Sequence, residues 1–228
     1  MPGTAPILWP SIGPSLFVQY AIKNSTADAS SQTVTFANAP QSGNLLILIA
    51  NAGQTLTIPT GWSRDATLVQ DLETSIYSKI SNGTETSITI NTTSGNTPWN
   101  LIAIEFSGYT TADKNVNLTT NSSVNGNVMN FGTTPTTTAA NEIIIAVGTM
   151  NLSTPFSDFR PTISWSNSFV QLTAQGAVTP SGSGPPFSQG IGVALYKASS
   201  TGTFTTTWKF QNVLSTVGVW NAIIATYK

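Results

Sequence analysis

Short runs of β-branched and aromatic residues recur along this chain, each bounded by turn residues. Thr33-Val34-Thr35-Phe36, Leu45-Leu46-Ile47-Leu48-Ile49, Thr86-Ser87-Ile88-Thr89-Ile90 and Leu101-Ile102-Ala103-Ile104-Glu105-Phe106 are the clearest. Runs of this length and composition predict strands. The separators support that reading. Ala39-Pro40-Gln41-Ser42-Gly43-Asn44 is turn-forming throughout, and Ser81-Asn82-Gly83 carries the Asn-Gly pair that accepts the positive φ of a tight hairpin. Two kinds of strand are distinguishable. Thr86 to Ile90 alternates polar and apolar, as one exposed face requires, whereas Leu45 to Ile49 is apolar at every position and calls for cover on both faces.

The strand pattern appears twice. Gly43-Asn44-Leu45-Leu46-Ile47-Leu48-Ile49 matches Ala140-Asn141-Glu142-Ile143-Ile144-Ile145-Ala146, and Ile76-Tyr77-Ser78-Lys79 matches Leu195-Tyr196-Lys197. Ser81 to Thr86 then aligns with Ser200 to Thr205, and Trp99 to Phe106 with Trp220 to Tyr227. Matches in one order along the chain indicate an internal repeat. The offset widens along the second copy, which places an insertion there that includes the loop Ser181-Gly182-Ser183-Gly184-Pro185-Pro186. The organisation expected is a unit over 20–110 and a related unit over 111–228. Ahead of them, Pro2, Pro6, Pro10 and Pro14 forbid a helix, so 1–19 reads as an extended arm. Its apolar residues Ile7, Leu8, Trp9, Ile12, Leu16 and Phe17 either fold back on the chain or dock on a neighbouring subunit.

Composition sharpens the class. Only 7% of residues are charged, against about 25% in ordinary globular domains, and Ser, Thr, Asn and Gly take their place. Helical surfaces are normally covered by Glu, Lys and Arg, so this substitution favours strands and very little helix. The fold class expected is all-β: two related antiparallel β-sandwich units, jelly-roll-like, with an extended N-terminal arm.

Charge and residue types also narrow the chemistry. Net charge is −1 and the basic residues are scattered singly, so neither nucleic acid nor a membrane surface is an expected partner. No apolar run approaches the about 20 residues of a membrane span, and no secretory signal is visible at the N-terminus. The chain has no His and no Cys, which removes His-based triads, Cys nucleophiles and ordinary zinc sites; no cofactor is expected. Paired carboxylates are what remain for catalysis. Asp71 and Glu73, two apart and on one face if extended, are the candidate pair for a cleft or a weak calcium site, but two solvated carboxylates are the simpler reading and the expectation is a non-enzyme.

Flat aromatic rings suit sugar faces, so Trp62 and Trp165, both near turns, are candidate glycan contacts. Trp99 and Trp220 begin apolar strands at matched positions and read as core. The sequons at Asn24, Asn82, Asn91, Asn117, Asn121 and Asn151 are no more than this composition produces by chance.

The succession Ser42-Gly43-Asn44-Leu45-Leu46-Ile47, Pro59-Thr60-Gly61-Trp62, Tyr77-Ser78-Lys79, Gly83-Thr84-Glu85-Thr86 and Ile104-Glu105-Phe106-Ser107-Gly108, followed by Thr136 to Ile143, resembles β-sandwich modules of phage tail and other virion-surface proteins. The resemblance spans about residues 30 to 228 and rests on packing and turn signals. It implies a structural, decoration or receptor-contact role on a virion or extracellular surface assembly. Partners would be copies of the chain or other virion structural proteins, with a host-surface glycan as a further ligand. It brings no active-site residues with it.

Overall fold

The computed structural model describes residues 16–70, 72–95, 97–120, 128–152, 164–178, 188–209 and 218–228. Among these there is no helix. The first half carries β1 (Phe17–Ala29), β2 (Ser31–Thr35), β3 (Leu45–Ala52), β4 (Ser63–Val69), β5 (Glu73–Ile80), β6 (Ser87–Asn91) and β7 (Thr97–Phe106). The second carries β8 (Ala112–Thr120), β9 (Val128–Thr133), β10 (Ile143–Leu152), β11 (Ser164–Trp165), β12 (Val170–Val178), β13 (Ser188–Lys197), β14 (Thr205–Lys209) and β15 (Gly218–Tyr227).

The named strands all pair antiparallel, and they build four sheets. One five-stranded sheet has the order β1-β7-β3-β5-β4, and the other, read from its far edge, has β8-β15-β10-β13-β12. The second order retraces the first strand for strand. The small sheets do the same, β2-β6 in the first half and β9-β14 in the second, the latter extended by β11. Within each half the first strand pairs with the last and the second with the second-last, which is jelly-roll-like wiring.

The layers follow from the side chains. Leu45, Ile47 and Ile49 on β3 and Ile102, Ile104 and Phe106 on β7 meet Ile143, Ile145 and Val147 on β10 and Ile223 and Tyr227 on β15 in a central core between the two large sheets. The intervening residues Leu46, Leu48 and Leu101 face outward beneath Val34, Ile88 and Ile90 of the β2-β6 sheet. In the second half Ile144, Ala146 and Ile224 face outward beneath Met129, Phe131 and Trp208. The molecule is therefore a stack of small sheet, large sheet, large sheet and small sheet. This explains the unbroken apolar runs: β3 and residues 143–150 of β10 lie inside the stack with their side chains removed from water, each such Leu or Ile contributing about 1.5–3 kcal/mol. The strands of the small sheets are covered on one face only and alternate.

Register corrects one detail of the sequence comparison. Leu45 pairs with Phe106 and Ile80, and Ile143 pairs with Tyr227 and Lys197, so Ile143 stands where Leu45 does, one place from the letter-by-letter match. Backbone conformation gives the reason: Gly43 at φ 89° and Asn141 at φ 62° are the corresponding left-handed turn residues. For the same reason Tyr77 corresponds to Ala194 rather than to Tyr196, and Lys79 and Lys197 do not correspond.

Close approach of chain segments requires glycine at one place above all. Gly148 on β10 and Gly192 on β13 pair across the sheet and form the floor beneath the Trp208 ring; a Cβ on either would lie 2.5 Å from the indole.

The two open sides of the stack are closed differently. On one, Tyr20 and Ile22 of β1 pack on the central core. On the other, Asn115 and Asn117 of β8 donate side-chain hydrogen bonds of 3.1 Å each to the backbone carbonyls of Asp65 and Thr67 on β4. These asparagines cover carbonyls that an edge strand otherwise offers to a passing chain.

Candidate functional site

A polar depression of about 280 Å³ opens where β4 and β5 meet the segment joining the two halves. Three local features build it. First, the pairing of β4 with β5 slips between Arg64 and Ala66, making Asp65 the extra residue of a β-bulge. Arg64 turns outward to Tyr77 while Ala66 enters the central core, and the bulge frees the Asp65 side chain from that alternation. Second, Gly61, at φ 80°, closes the turn in which the Trp62 N–H donates to the Pro59 carbonyl at 3.1 Å, and it lies beside the Lys79 ammonium. Third, the wall formed by Thr110, Thr111 and Ala112 is fixed to the end of the chain: the Thr110 and Thr111 N–H groups donate to the Lys228 carbonyl at 2.9 and 3.1 Å, and the Lys228 N–H donates to Thr111 at 3.0 Å.

Ser63, Ser78 and Lys79 line the depression with Asp65. Burial pushes the Asp65 carboxyl above its ordinary value, opposed by the hydroxyls of Ser78 and Tyr227. The Tyr227 hydroxyl donates to Asp65 Oδ2 at 2.9 Å, from the last strand of the second half. Burial, with the Asp65 charge beside it, holds the Tyr227 phenol well above the usual range, so it remains the donor in this bond. Lys79 forms an ion pair of 2.8 Å with Glu85. Burial opposes ionisation of Glu85, but Lys79, the Asn82 N–H and the Ser81 hydroxyl outweigh it and bring its pKa down to about 2. The depression thus offers a carboxylate acceptor, an ammonium donor whose charge is already balanced, and several hydroxyls.

Glu73, read from sequence as one of two solvated carboxylates or, alternatively, as half of a cleft pair, is neither: it is buried, because strand β5 is covered and the backbone at Leu56 closes over it. It lies 3.3 Å from Arg64 and accepts hydrogen bonds from the Leu56 N–H at 2.9 Å and the Ser75 hydroxyl at 2.7 Å. Its partner in that proposal, Asp71, lies outside the described residues.

Of the two tryptophan candidates, Trp62 is half-buried against the outer core of the first half, although its neighbours Gly61 and Ser63 line the depression. Trp165 pairs in register with Trp208, and the two rings stack at 5.5 Å and 6° in the outer core of the second half. The two candidates therefore lie in opposite outer layers and do not form one surface. Ile7, Leu8, Trp9 and Ile12 lie outside the described residues. Leu16 and Phe17 pack on the chain's own central core, and Phe17 opens β1 opposite Phe106, so residues 17–19 belong to the sheet rather than to an arm.

Sequence reasoning did not single out Asp65, Ser78, Lys79 and Tyr227 as a group. No local signal marks the bulge at Asp65 or its tie to a tyrosine 162 positions away. Comparison of the chain with protein-family models, with curated proteins and with solved structures finds no match.

Proposed function

We propose that this chain is a structural subunit of a virion or extracellular surface assembly, working through contacts with copies of itself or with other structural proteins. The observation that carries this reading is the use made of its carboxylates. Asp65 holds Tyr227, Glu73 holds Arg64 and the Leu56 N–H, and Glu85 holds Lys79. Glu105 accepts from Gln19 at 2.7 Å, the Gln41 N–H at 2.8 Å and Asn44 at 2.6 Å. Asp113 accepts from Thr138 and Lys228, and Glu142 from the Ala139 N–H. Acidic groups engaged in this way fasten loops and strand ends, and they leave a surface dominated by hydroxyls and amides. A low net charge suits a subunit held among many others, because little repulsion keeps copies apart.

The test is the oligomeric state of the full chain beside a chain lacking residues 1–14, by light scattering and negative-stain microscopy. Leu16 and Phe17 are retained because they belong to the core. Rings, tubes or fibres from the full chain and monomers from the shortened one are expected. Monomers from both, at all concentrations examined, overturn self-assembly.

A second reading is a receptor-contact role toward a surface glycan. The observation favouring it is the hydroxyl-lined depression around Asp65. A glycan array probed with the full chain tests it, and no binding across a broad array removes it.

A further inference from the structure

We infer that the Asp65 depression is a subsite for one uncharged sugar ring, with Asp65 accepting from ligand hydroxyls and Lys79 donating to them. This rests on the receptor-contact reading and assigns its site to a place that neither tryptophan candidate occupies.

Size, charge and rigidity point the same way. At about 280 Å³ the space lies just below the about 300–1,000 Å³ of drug-sized ligand sites, which suits a single ring and not an extended chain. An anion entering it meets the Asp65 carboxylate, and a cation, which carries donors only, leaves the remaining Lys79 N–H groups without an acceptor. A neutral polyol, whose hydroxyls both donate and accept, satisfies both groups at once. Asp65 already accepts from the Tyr227 hydroxyl on Oδ2 and from the Ser78 hydroxyl, which orients the carboxylate, and a carboxylate's roughly four acceptor positions leave room for a ligand hydroxyl beside them. Lys79 is held in place by Glu85 but keeps further N–H donors.

The walls are fixed before any ligand arrives. Asp65 is held by a bulge, its backbone carbonyl by Asn115, and the opposite wall by the Lys228 backbone. Rigid walls lower the ordering cost of binding, so even a one-ring ligand is held measurably. The site also needs both halves of the chain: Asp65 and Lys79 come from the first, Tyr227 from the last strand of the second.

Saturation-transfer NMR on the full chain, with methyl glycosides of glucose, galactose, mannose and N-acetylglucosamine as probes, tests the inference. At least one probe is expected to receive transfer. Asp65→Asn should weaken that probe by about tenfold, the loss of a hydrogen bond to a charged group. Ser63→Phe provides a second variant: Ser63 is exposed, and a phenyl ring there fills the space and should abolish transfer at an unchanged melting temperature. If no methyl glycoside receives transfer, the inference falls. If the chain binds sugars and both variants bind them as well as the parent, the receptor-contact reading stands and the Asp65 site is wrong.

Discussion

The hydroxyl of Thr74, on β5 of the first half, meets the hydroxyl of Thr149, on β10 of the second, at 2.6 Å inside the molecule. Thr74 Oγ1 also accepts from the side-chain amides of Asn51 at 3.1 Å and Asn221 at 3.2 Å. A hydroxyl has one proton and two acceptor positions, so Thr74 is saturated and its proton must point at Thr149. Asn221 donates as well to the Leu72 carbonyl at 3.1 Å, which extends this polar knot from one large sheet to the other.

Removing the hub should cost more than removing the spoke. Thr74→Val leaves two buried amide donors short of a partner and should lower stability by about 1–3 kcal/mol, whereas Thr149→Val removes one acceptor and should cost about 1 kcal/mol. Urea unfolding midpoints of the two variants decide the matter. Equal losses mean that the hydroxyl of Thr74 does not hold the knot together.

The glycine floor under Trp208 makes a second prediction. Gly192→Ala puts a methyl group where the indole now lies, so the ring must move or the strands must part, a cost of about 1–3 kcal/mol. Near-ultraviolet circular dichroism should lose intensity because the Trp165–Trp208 stack shifts with it. An unchanged spectrum together with an unchanged melting temperature contradicts the close contact.

Ser168 follows Asn167 in the turn between β11 and β12, and both have positive φ, 61° and 56°. The Phe169 N–H donates to the Ser166 carbonyl at 3.3 Å, closing a turn between two different sheets whose central residues are both left-handed and whose second central position favours glycine. Ser168→Gly should therefore raise stability by about 1 kcal/mol, the relief of left-handed strain exceeding the added freedom of the unfolded chain. A thermal unfolding scan in which the variant melts lower than the parent would show that the serine side chain contributes more than its backbone strain removes.

A pH effect is expected from Glu142 and Asp113. Burial pushes Glu142 up, and the neighbouring Asp113 charge adds to it. Burial also opposes ionisation of Asp113, but Thr138, Lys228 and Glu142 outweigh it and hold that carboxyl well below the usual range. When the pair binds a single proton, Glu142 is therefore the group that carries it. A group whose pKa rises on folding contributes stability below its unfolded value, near 4.5 for this carboxyl, and that stability is lost as pH rises through the folded value. Glu142→Gln keeps an acceptor for the Ala139 N–H without a titrating proton. Its melting temperature relative to the parent should therefore increase from pH 4 toward pH 8. A difference that stays flat over that range refutes the assignment.

Strand positions were readable from the sequence because their cause is local: alternation in β6 and unbroken apolarity in β3 and β10. The Asn82-Gly83 pair marked a turn, with Gly83 at φ 89°, but not the hairpin expected of it, because β5 belongs to the large sheet and β6 pairs with β2 in the small one. The apolar runs announced cover on both faces. What covers them was not readable, since Ile143 and Ile223 lie far along the chain from Leu45 and Ile102. The comparison of the two halves slipped by one place because Asn141 performs the turn that Gly43 performs, and letters were matched where conformations should have been. The start of β1 was hidden by the prolines that precede it. The candidate site was the least legible part, because a bulge at Asp65 and a hydroxyl delivered by Tyr227 are products of register and packing, which leave no mark in nearby residues.

The shared central core has a consequence for how the molecule is made. When β7 has left the ribosome, the first large sheet has all its strands, yet Leu45, Ile47, Ile49, Ile102 and Ile104 still face water. Their cover arrives with β10 and is finished only by β15, so at about 5–20 residues per second that face stays bare for on the order of 10 s. A polypeptide halted anywhere in the second half is therefore a sticky fragment rather than a finished domain, its bare sheet face open to association with any apolar neighbour.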